Sequence, residues 1–211
     1  MCGIVGYIGK KEAYPIVLNG LKRLEYRGYD SAGIALFDGE DIQLCKTKGK
    51  VAGLEAKAEK NISLKGSLGI GHTRWATHGI PSKVNAHPHS SGDVAVVHNG
   101  IIENYDELRK KLEKKKFIFE SDTDTEVIAH LISYYLKKNL PPLNATITAL
   151  KKVEGAFALG IIFSGINNYL ICAKRGSPLA IGKGKNCNYI GSDSIALAPL
   201  TQKLCYLNEG D

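Results

Sequence analysis

A cysteine at position two is the residue of this chain best placed for covalent chemistry. Cysteine is small, so Met1 is expected to be removed in processing, leaving Cys2 with a thiol and a free α-amine on one residue. An α-amine titrates at about 7.7–8.0 in model peptides. It can take the thiol proton directly or through one water, so that a single residue supplies both nucleophile and base. A base titrating near the working pH is close to the optimum for proton transfer. A second-position cysteine also fits a buried structural role, so other segments must decide. Acyl transfer needs donors for a developing oxyanion. His98-Asn99-Gly100 follows a predicted buried strand and offers the Asn99 side-chain amide and the Gly100 backbone N–H. Glycine there permits an unusual φ, although Asn-Gly is equally the mark of a plain hairpin turn. A substrate with both α-carboxylate and α-ammonium needs a cation and an anion held apart. Arg74 offers a planar fork for the carboxylate, and Asp124, within the acidic residues 121–126, can hold the ammonium. That run also suits the start of a helix. Five of the six histidines (His72, His78, His87, His89, His98) lie between positions 72 and 98. Their spacing matches neither a helical metal-binding pair nor a Cys/His finger, so hydrogen-bonding supports are expected rather than metal ligands.

Positioning these groups requires a layered fold. Residues 4–8 read as a buried strand; Tyr14, Val17, Leu18, Leu21 and Leu24 then recur at helical spacing, with Pro15 in the first turn. Residues 33–37 and 42–47 flank Asp38-Gly39, a hairpin signal. Residues 67–73 and 94–98 read as further strands. Between them, residues 74–93 lack apolar periodicity and read as a long functional loop. Helices are predicted around Leu108 and Leu112, on the face from Val127 to Tyr135 with Ser121 or Asp122 near its start, and over residues 144–153. From residue 156 the chain turns strand-rich, with strands at 156–163, 169–173, 179–181, 188–191 and 204–207. Strands and helices come in blocks, which predicts an α+β fold of largely antiparallel sheets with helices outside.

Composition narrows the class. The chain has 211 residues, 44% of them hydrophobic, enough for one sizeable core. No stretch approaches the ~18 apolar residues of a membrane span, and the N-terminus has no signal-peptide pattern. Five scattered cysteines without a C-x-x-C pair fit a reducing cytoplasm. In that compartment the glycosylation-like triplets Asn61-Ile62-Ser63 and Asn144-Ala145-Thr146 carry no meaning. The formal charge of +7 owes much to Lys110, Lys111, Lys114, Lys115 and Lys116. These fall at a predicted helix end, where cations suit the dipole, and no aromatic residues interleave with them as a nucleic-acid stacking platform requires. The chain stops at Glu209-Gly210-Asp211 just after a predicted strand, which suggests a piece of a longer polypeptide.

Six segments in order carry a resemblance: CGIVGYIG at 2–9, LKRLEYRGYDSAGIA at 21–35, HTRWATHGIPSKVNAHPH at 72–89, VVHNGIIEN at 96–104, SDTDTEVIAHL at 121–131 and RGSPLAIG at 175–182. Together they resemble the class II glutamine amidotransferases, in the sugar-aminating rather than the phosphoribosyl branch. The resemblance implies a four-layer α/β/β/α N-terminal-nucleophile hydrolase fold with two stacked, mainly antiparallel sheets, and residues 1–211 as one amidotransferase domain. It implies Cys2 as nucleophile with its α-amine as base, Asn99 and Gly100 as the oxyanion hole, Arg74 on the substrate carboxylate and Asp124 on its amine. Thr77 and His78 match a glutamine-contacting loop, Trp75 a residue of the mobile segment 74–81, and Arg27 a residue supporting the nucleophile region. The implied reaction is hydrolysis of L-glutamine through a Cys2 thioester, with no cofactor and no metal. Ammonia would pass to a sugar isomerase domain of the same polypeptide, absent from this chain, in a homo-oligomer that binds neither nucleic acid nor membrane. Other readings of the same residues are a related amidase acting on another amide and a non-catalytic domain that binds amino acids.

Overall fold

The computed structural model describes residues 2–60 and 64–211. Met1, whose removal is expected, and the Asn61-Ile62-Ser63 triplet lie outside them. Along the first strand, β1 (Gly3–Ile8), the two-residue alternation sorts side chains into two cores. Val5 and Tyr7 point to a helical layer formed by α1 (Ala13–Leu24), α2 (Val51–Ala58) and the short α6 (Ser194–Leu197), whereas Ile4 points to a second sheet. The strands β2 (Ser31–Phe37), β3 (Ile42–Lys48), β4 (Leu68–Arg74), β9 (Ala180–Gly184), β10 (Cys187–Gly191) and β11 (Leu204–Tyr206) complete the first sheet, in the order β11-β9-β10-β1-β4-β2-β3. The second sheet runs β5-β6-β7-β8, from β5 (His89–Ser91), β6 (Val94–Ile102), β7 (Gly155–Phe163) and β8 (Leu170–Arg175). Neighbouring strands pair antiparallel in both sheets.

Three apolar clusters hold four layers together. Ile4, Ala35, Leu68 and Ile70 of the first sheet meet Ala95, Val97, Ala158 and Ile162 of the second. On the far side, Val94, Val96, Leu159 and Ile161 pack against α3 (Tyr105–Glu113), α4 (Glu126–Leu136) and α5 (Pro142–Leu150) through Leu108, Leu112, Val127, Ile128 and Ala145. The expected α/β/β/α architecture is the one observed.

The expected hairpin at Asp38-Gly39 forms, and the Asp38 carboxylate closes its four-residue connection by accepting the N–H groups of both Glu40 and Asp41 at 2.9 Å. Other local expectations change. Asn99-Gly100 is not a turn. It lies within β6, opposite Ala158 and Phe157 of β7. The long loop is shortened by β4, which reaches Arg74, and by β5. Helix α4 begins at Glu126 rather than at Ser121 or Asp122, and the Glu126 carboxylate turns back to accept the N–H groups of Glu120 (3.0 Å) and Ser121 (2.8 Å). Of the lysine run, Lys114 onward lies past the end of α3, and the Lys115 ammonium sits 4.8 Å from the centre of the Tyr134 ring. Aromatic partners therefore come from α4, where sequence spacing could not show them. Among the described residues, no helix is long and apolar enough to cross a membrane.

Helix α1 can lie close on β4 because Gly71 has no side chain: a Cβ there would stand 2.5 Å from Val17 Cγ1 and 2.9 Å from Leu21 Cδ1. Gly71→Ala is expected to cost about 1–3 kcal/mol by overpacking. Thermal unfolding would show it, and an unchanged midpoint would mean that α1 does not bear on this strand.

Candidate active site

Antiparallel pairing of β1 with β4 matches Gly3 to Thr73, which sets Cys2 beside the exit of β4. There the Trp75 N–H reaches the Cys2 sulfur at 3.2 Å, and the thiol lies 3.4 Å from the Trp75 carbonyl. Burial pushes the Cys2 thiol up, with the Trp75 N–H and the Arg74 guanidinium acting against the rise. At neutral pH the sulfur therefore holds its proton and needs a base to release it.

Arg74, the last residue of β4, is only 3% exposed. Its Nη2 donates to the carbonyls of His78 and Gly79, while its Nη1 lies 3.9 Å from Asp30 Oδ1 and has no hydrogen-bond partner. A buried donor without an acceptor is costly, so this nitrogen is suited to an anion brought by a ligand. Asp30, which precedes β2, also fixes the loop. Its backbone N–H donates to the Arg74 carbonyl at 3.1 Å and its carboxylate accepts the Ala76 N–H.

From the second sheet, Asn99 reaches across with its Nδ2 donating to the Cys2 carbonyl at 3.1 Å. Its neighbour Gly100 has φ +138°, and a Cβ there would fall 2.0 Å from the Ala156 carbonyl oxygen, so only glycine fits. Asp124, 4% exposed, accepts the Ile102 N–H at 2.8 Å, which ties it to the strand that carries Asn99.

Every residue selected from the sequence lines one of two adjoining cavities. An outer cleft of about 500 Å³ is lined by Cys2, Arg27, Trp75, Thr77, Asn99 and Gly100, among others. An inner cavity of about 10 Å³ is lined by Cys2, Arg74, Thr77, His78, Gly100 and Asp124, again among others. Such a volume holds one water at most. Trp75 is half exposed, with its ring edge-on to Tyr29 at 5.3 Å. His78 packs edge-on to Tyr105 at 5.2 Å. Arg27 is paired at 3.0 Å with Asp193, which also accepts the Tyr26 hydroxyl. Residue type alone does not single out Asp30 and Asp193, because an isolated acid beside a strand carries no periodic signal.

The buried histidines form a connected network, of which His87 and His98 line the inner cavity. His72 stacks on His87 at 4.1 Å, His87 meets His89 edge-on at 4.8 Å, and His87 and His98 share the Thr125 hydroxyl at 2.8 Å each. They act as hydrogen-bonding supports. Among the described residues no group of three or more His, Cys, Asp or Glu side chains could hold a metal ion.

Fold and site together define the class, a four-layer N-terminal-nucleophile hydrolase with a thiol at the head of its central strand. Within that class the chain belongs to the glutamine amidotransferase domain family, whose model matches residues 72–199. It is 51% identical, along its whole length, to a glutamine–fructose-6-phosphate aminotransferase (isomerizing) of Mesorhizobium japonicum, of which it spans 35%. A relative of the same name from Acinetobacter baylyi is 53% identical, and the chain spans 34% of it. Among solved structures, the glutamine phosphoribosylpyrophosphate amidotransferase of B. subtilis superposes with a TM-score of 0.80 at 30% identity, covering 99% of this chain and 45% of that one. The chain thus spans about a third of the curated relatives it matches.

Burial keeps His72 neutral, with its pKa pushed down to about 3, and holds His87 and His89 well below the usual value; their histidine and lysine neighbours add to the effect. Below 6.5 the unfolded chain takes up protons on these rings that the native state refuses, so stability falls as pH drops, by about 1.4 kcal/mol per unit for each ring. Glu126 works in a lower window. Burial alone would raise its carboxyl, but His130, Ser121 and backbone N–H groups hold it at about 2, so its contribution is full above 4.5 and lost toward 2. Urea unfolding is expected to lose roughly 5 kcal/mol between pH 6.5 and pH 5, about 1.6 for each of the three rings, before the carboxylates titrate. A flat profile over that interval would mean that the rings are hydrated or already charged.

Proposed function

We propose that this chain hydrolyses the side-chain amide of L-glutamine. One observation carries the reading: Cys2, Asn99, Arg74 and Asp124 line two cavities that meet at Cys2, and Arg74 Nη1 has no hydrogen-bond partner. Arg74 binds the α-carboxylate and Asp124 the α-ammonium, which places the side-chain amide at the sulfur. Because the inner cavity is nearly full, the incoming carboxylate takes the place of the His78 and Gly79 carbonyls on Arg74, and the segment 75–81 shifts to admit it.

The α-amine of Cys2, freed by loss of Met1, accepts the thiol proton as sulfur attacks the amide carbon. Asn99 Nδ2 and the Gly100 N–H stabilise the oxyanion. The carbon–nitrogen bond then breaks, the ammonium returns its proton to the departing nitrogen, and ammonia leaves a thioester. Water, deprotonated by the same amine, attacks the thioester and releases glutamate, restoring the thiol. Thr77 and His78 contact glutamine, Trp75 covers the site, and Arg27 braces the wall through Asp193.

In the whole protein this ammonia would serve a sugar isomerase domain that converts fructose 6-phosphate to glucosamine 6-phosphate. The names of these relatives support that branch, since their identity to this chain is well above that of the phosphoribosyl enzyme. The five free cysteines support a cytoplasmic setting. Residues 1–211, acting alone, are expected to form glutamate and ammonia but no glucosamine 6-phosphate.

Two outcomes test the reading. Cys2→Ala is expected to lower glutaminase turnover by on the order of 10³-fold or more. Protein shown by intact mass to retain Met1 should be comparably inactive, since its Cys2 nitrogen is an amide. Full turnover by that form would refute the amine as base. Arg74→Lys, which loses the planar fork, is expected to raise KM for glutamine about 10- to 100-fold with a smaller change in kcat. Equal KM values would remove Arg74 from the substrate.

A further inference from the structure

His72 stands on β4 where the apolar alternation of Leu68 and Ile70 would place another core residue between the sheets. It is completely buried, yet it carries a polar ring. Its Nε2 lies 2.9 Å from the His98 carbonyl and 3.0 Å from Asn99 Oδ1. The far end of the same Asn99 amide lies 3.1 Å from the Cys2 carbonyl, an acceptor, which requires the NH₂ group at that end and the oxygen facing His72. Nε2 therefore meets two acceptors and carries the ring proton. Nδ1, buried without a hydrogen-bond partner, is the bare nitrogen.

An asparagine amide rotates between two nearly isosteric orientations, and only hydrogen bonds choose between them. Flipped, Asn99 would set its oxygen against the Cys2 carbonyl and against any oxyanion formed there, and its NH₂ against the His72 N–H. The geometry points to His72 as a positioning residue that locks the Asn99 amide with its NH₂ toward the thiol. This role rests on Asn99 serving as an oxyanion donor. One Nδ2 hydrogen is taken by the Cys2 carbonyl, which leaves the second for an oxyanion formed in the cleft that Asn99 lines. Stacking on His87 holds the His72 ring plane, and burial keeps the ring neutral, so its single N–H is present across the working range of pH.

The alternative is a ring that merely fills space between the sheets, and two near-isosteric variants separate these roles. His72→Leu keeps the volume but removes the donor; His72→Gln restores an N–H near the Nε2 position. In the 211-residue protein we expect His72→Leu to lower kcat for glutamine hydrolysis roughly 10- to 100-fold, with KM within about threefold. The rate of Cys2 alkylation by iodoacetamide, a displacement that builds no oxyanion, should be unchanged. His72→Gln should recover most of kcat. Retention of more than half of kcat by His72→Leu would overturn the assignment. So would parallel loss of turnover and alkylation in both variants, the mark of a structural role. Should the leucine protein not fold, nitrogen-15 NMR of the wild-type ring decides: protonation at Nε2 supports the lock, and protonation at Nδ1 sinks it. That spectrum is independent of turnover. A wild-type protein showing Nε2 protonation but no glutaminase activity would thus discredit the catalytic reading and leave the lock in place.

Discussion

The ladder between β1 and β4 is the constraint on which the rest depends. Chain ends usually fray, and a reactive residue at position two would ordinarily be ill defined. Here the chain begins in the fourth of seven strands, paired with β10 on one side and β4 on the other. Ile4 is held further by exchange with Ser192, whose hydroxyl accepts its N–H at 2.9 Å and whose N–H donates to its carbonyl at 3.1 Å. Rigidity therefore extends to residue three, and Cys2 projects from the last rung. A slip of one residue would turn Ile4 toward the helices and Val5 into the space between the sheets, so the two cores that fix the register also fix the thiol.

The second sheet must then be docked accurately, because Asn99 reaches the Cys2 carbonyl from that side, and Asp124, tied to β6 through Ile102, lines the same inner cavity as Cys2. Apolar contacts between the sheets supply adhesion but little direction. Direction comes from the few polar bonds that cross the junction: Asn99 to the Cys2 carbonyl, and His72 to Asn99 and the His98 carbonyl. Such bonds in a buried setting are stabilising only when complete. The cost shows in the histidines, which are held neutral by burial and so make the junction sensitive to acid. Precision at the site and tolerance of low pH are in conflict in this fold.

Much of this was legible in the sequence where a period or a motif carried it. The faces of α1 and α4, most of the strands and the layered architecture follow from apolar spacing, and all nine selected residues line the two cavities. What was not legible depends on partners distant in sequence. Val51 to Ala58 forms a helix whose few apolar positions gave no clear stripe, and α6 and β5 are too short to show a period. Asn99-Gly100 has the composition of a turn, but β7 captures it as strand, and only the positive φ of Gly100 retains the turn-like feature. The segment from Ser121 to Thr125 resembles a helix start. It stays outside α4 because Asp124 is committed to Ile102, and because Glu126 satisfies the N–H groups of Glu120 and Ser121.

The electrostatics of the Cys2 thiol bear directly on the proposal that it acts as a nucleophile at a chain end. Reactive cysteines elsewhere are often ionised in advance by a helix N-terminus or a histidine partner. Neither meets Cys2 here: its sulfur contacts the Trp75 backbone, and burial pushes its pKa up rather than down. A thiol kept protonated is a poor target for oxidants, but it needs a base within reach when substrate arrives. Histidines are close by, yet His72, His87 and His98 are engaged with Asn99 and Thr125 and are too buried to carry a proton for long. In the proposed mechanism a free α-amine on the same residue would meet the need without another side chain in the cleft. Such an amine titrates near neutrality, and loss of Met1 would create it after synthesis. Under that mechanism the raised thiol pKa and the terminal location belong together, since an interior cysteine with the same surroundings would have no base to accept its proton.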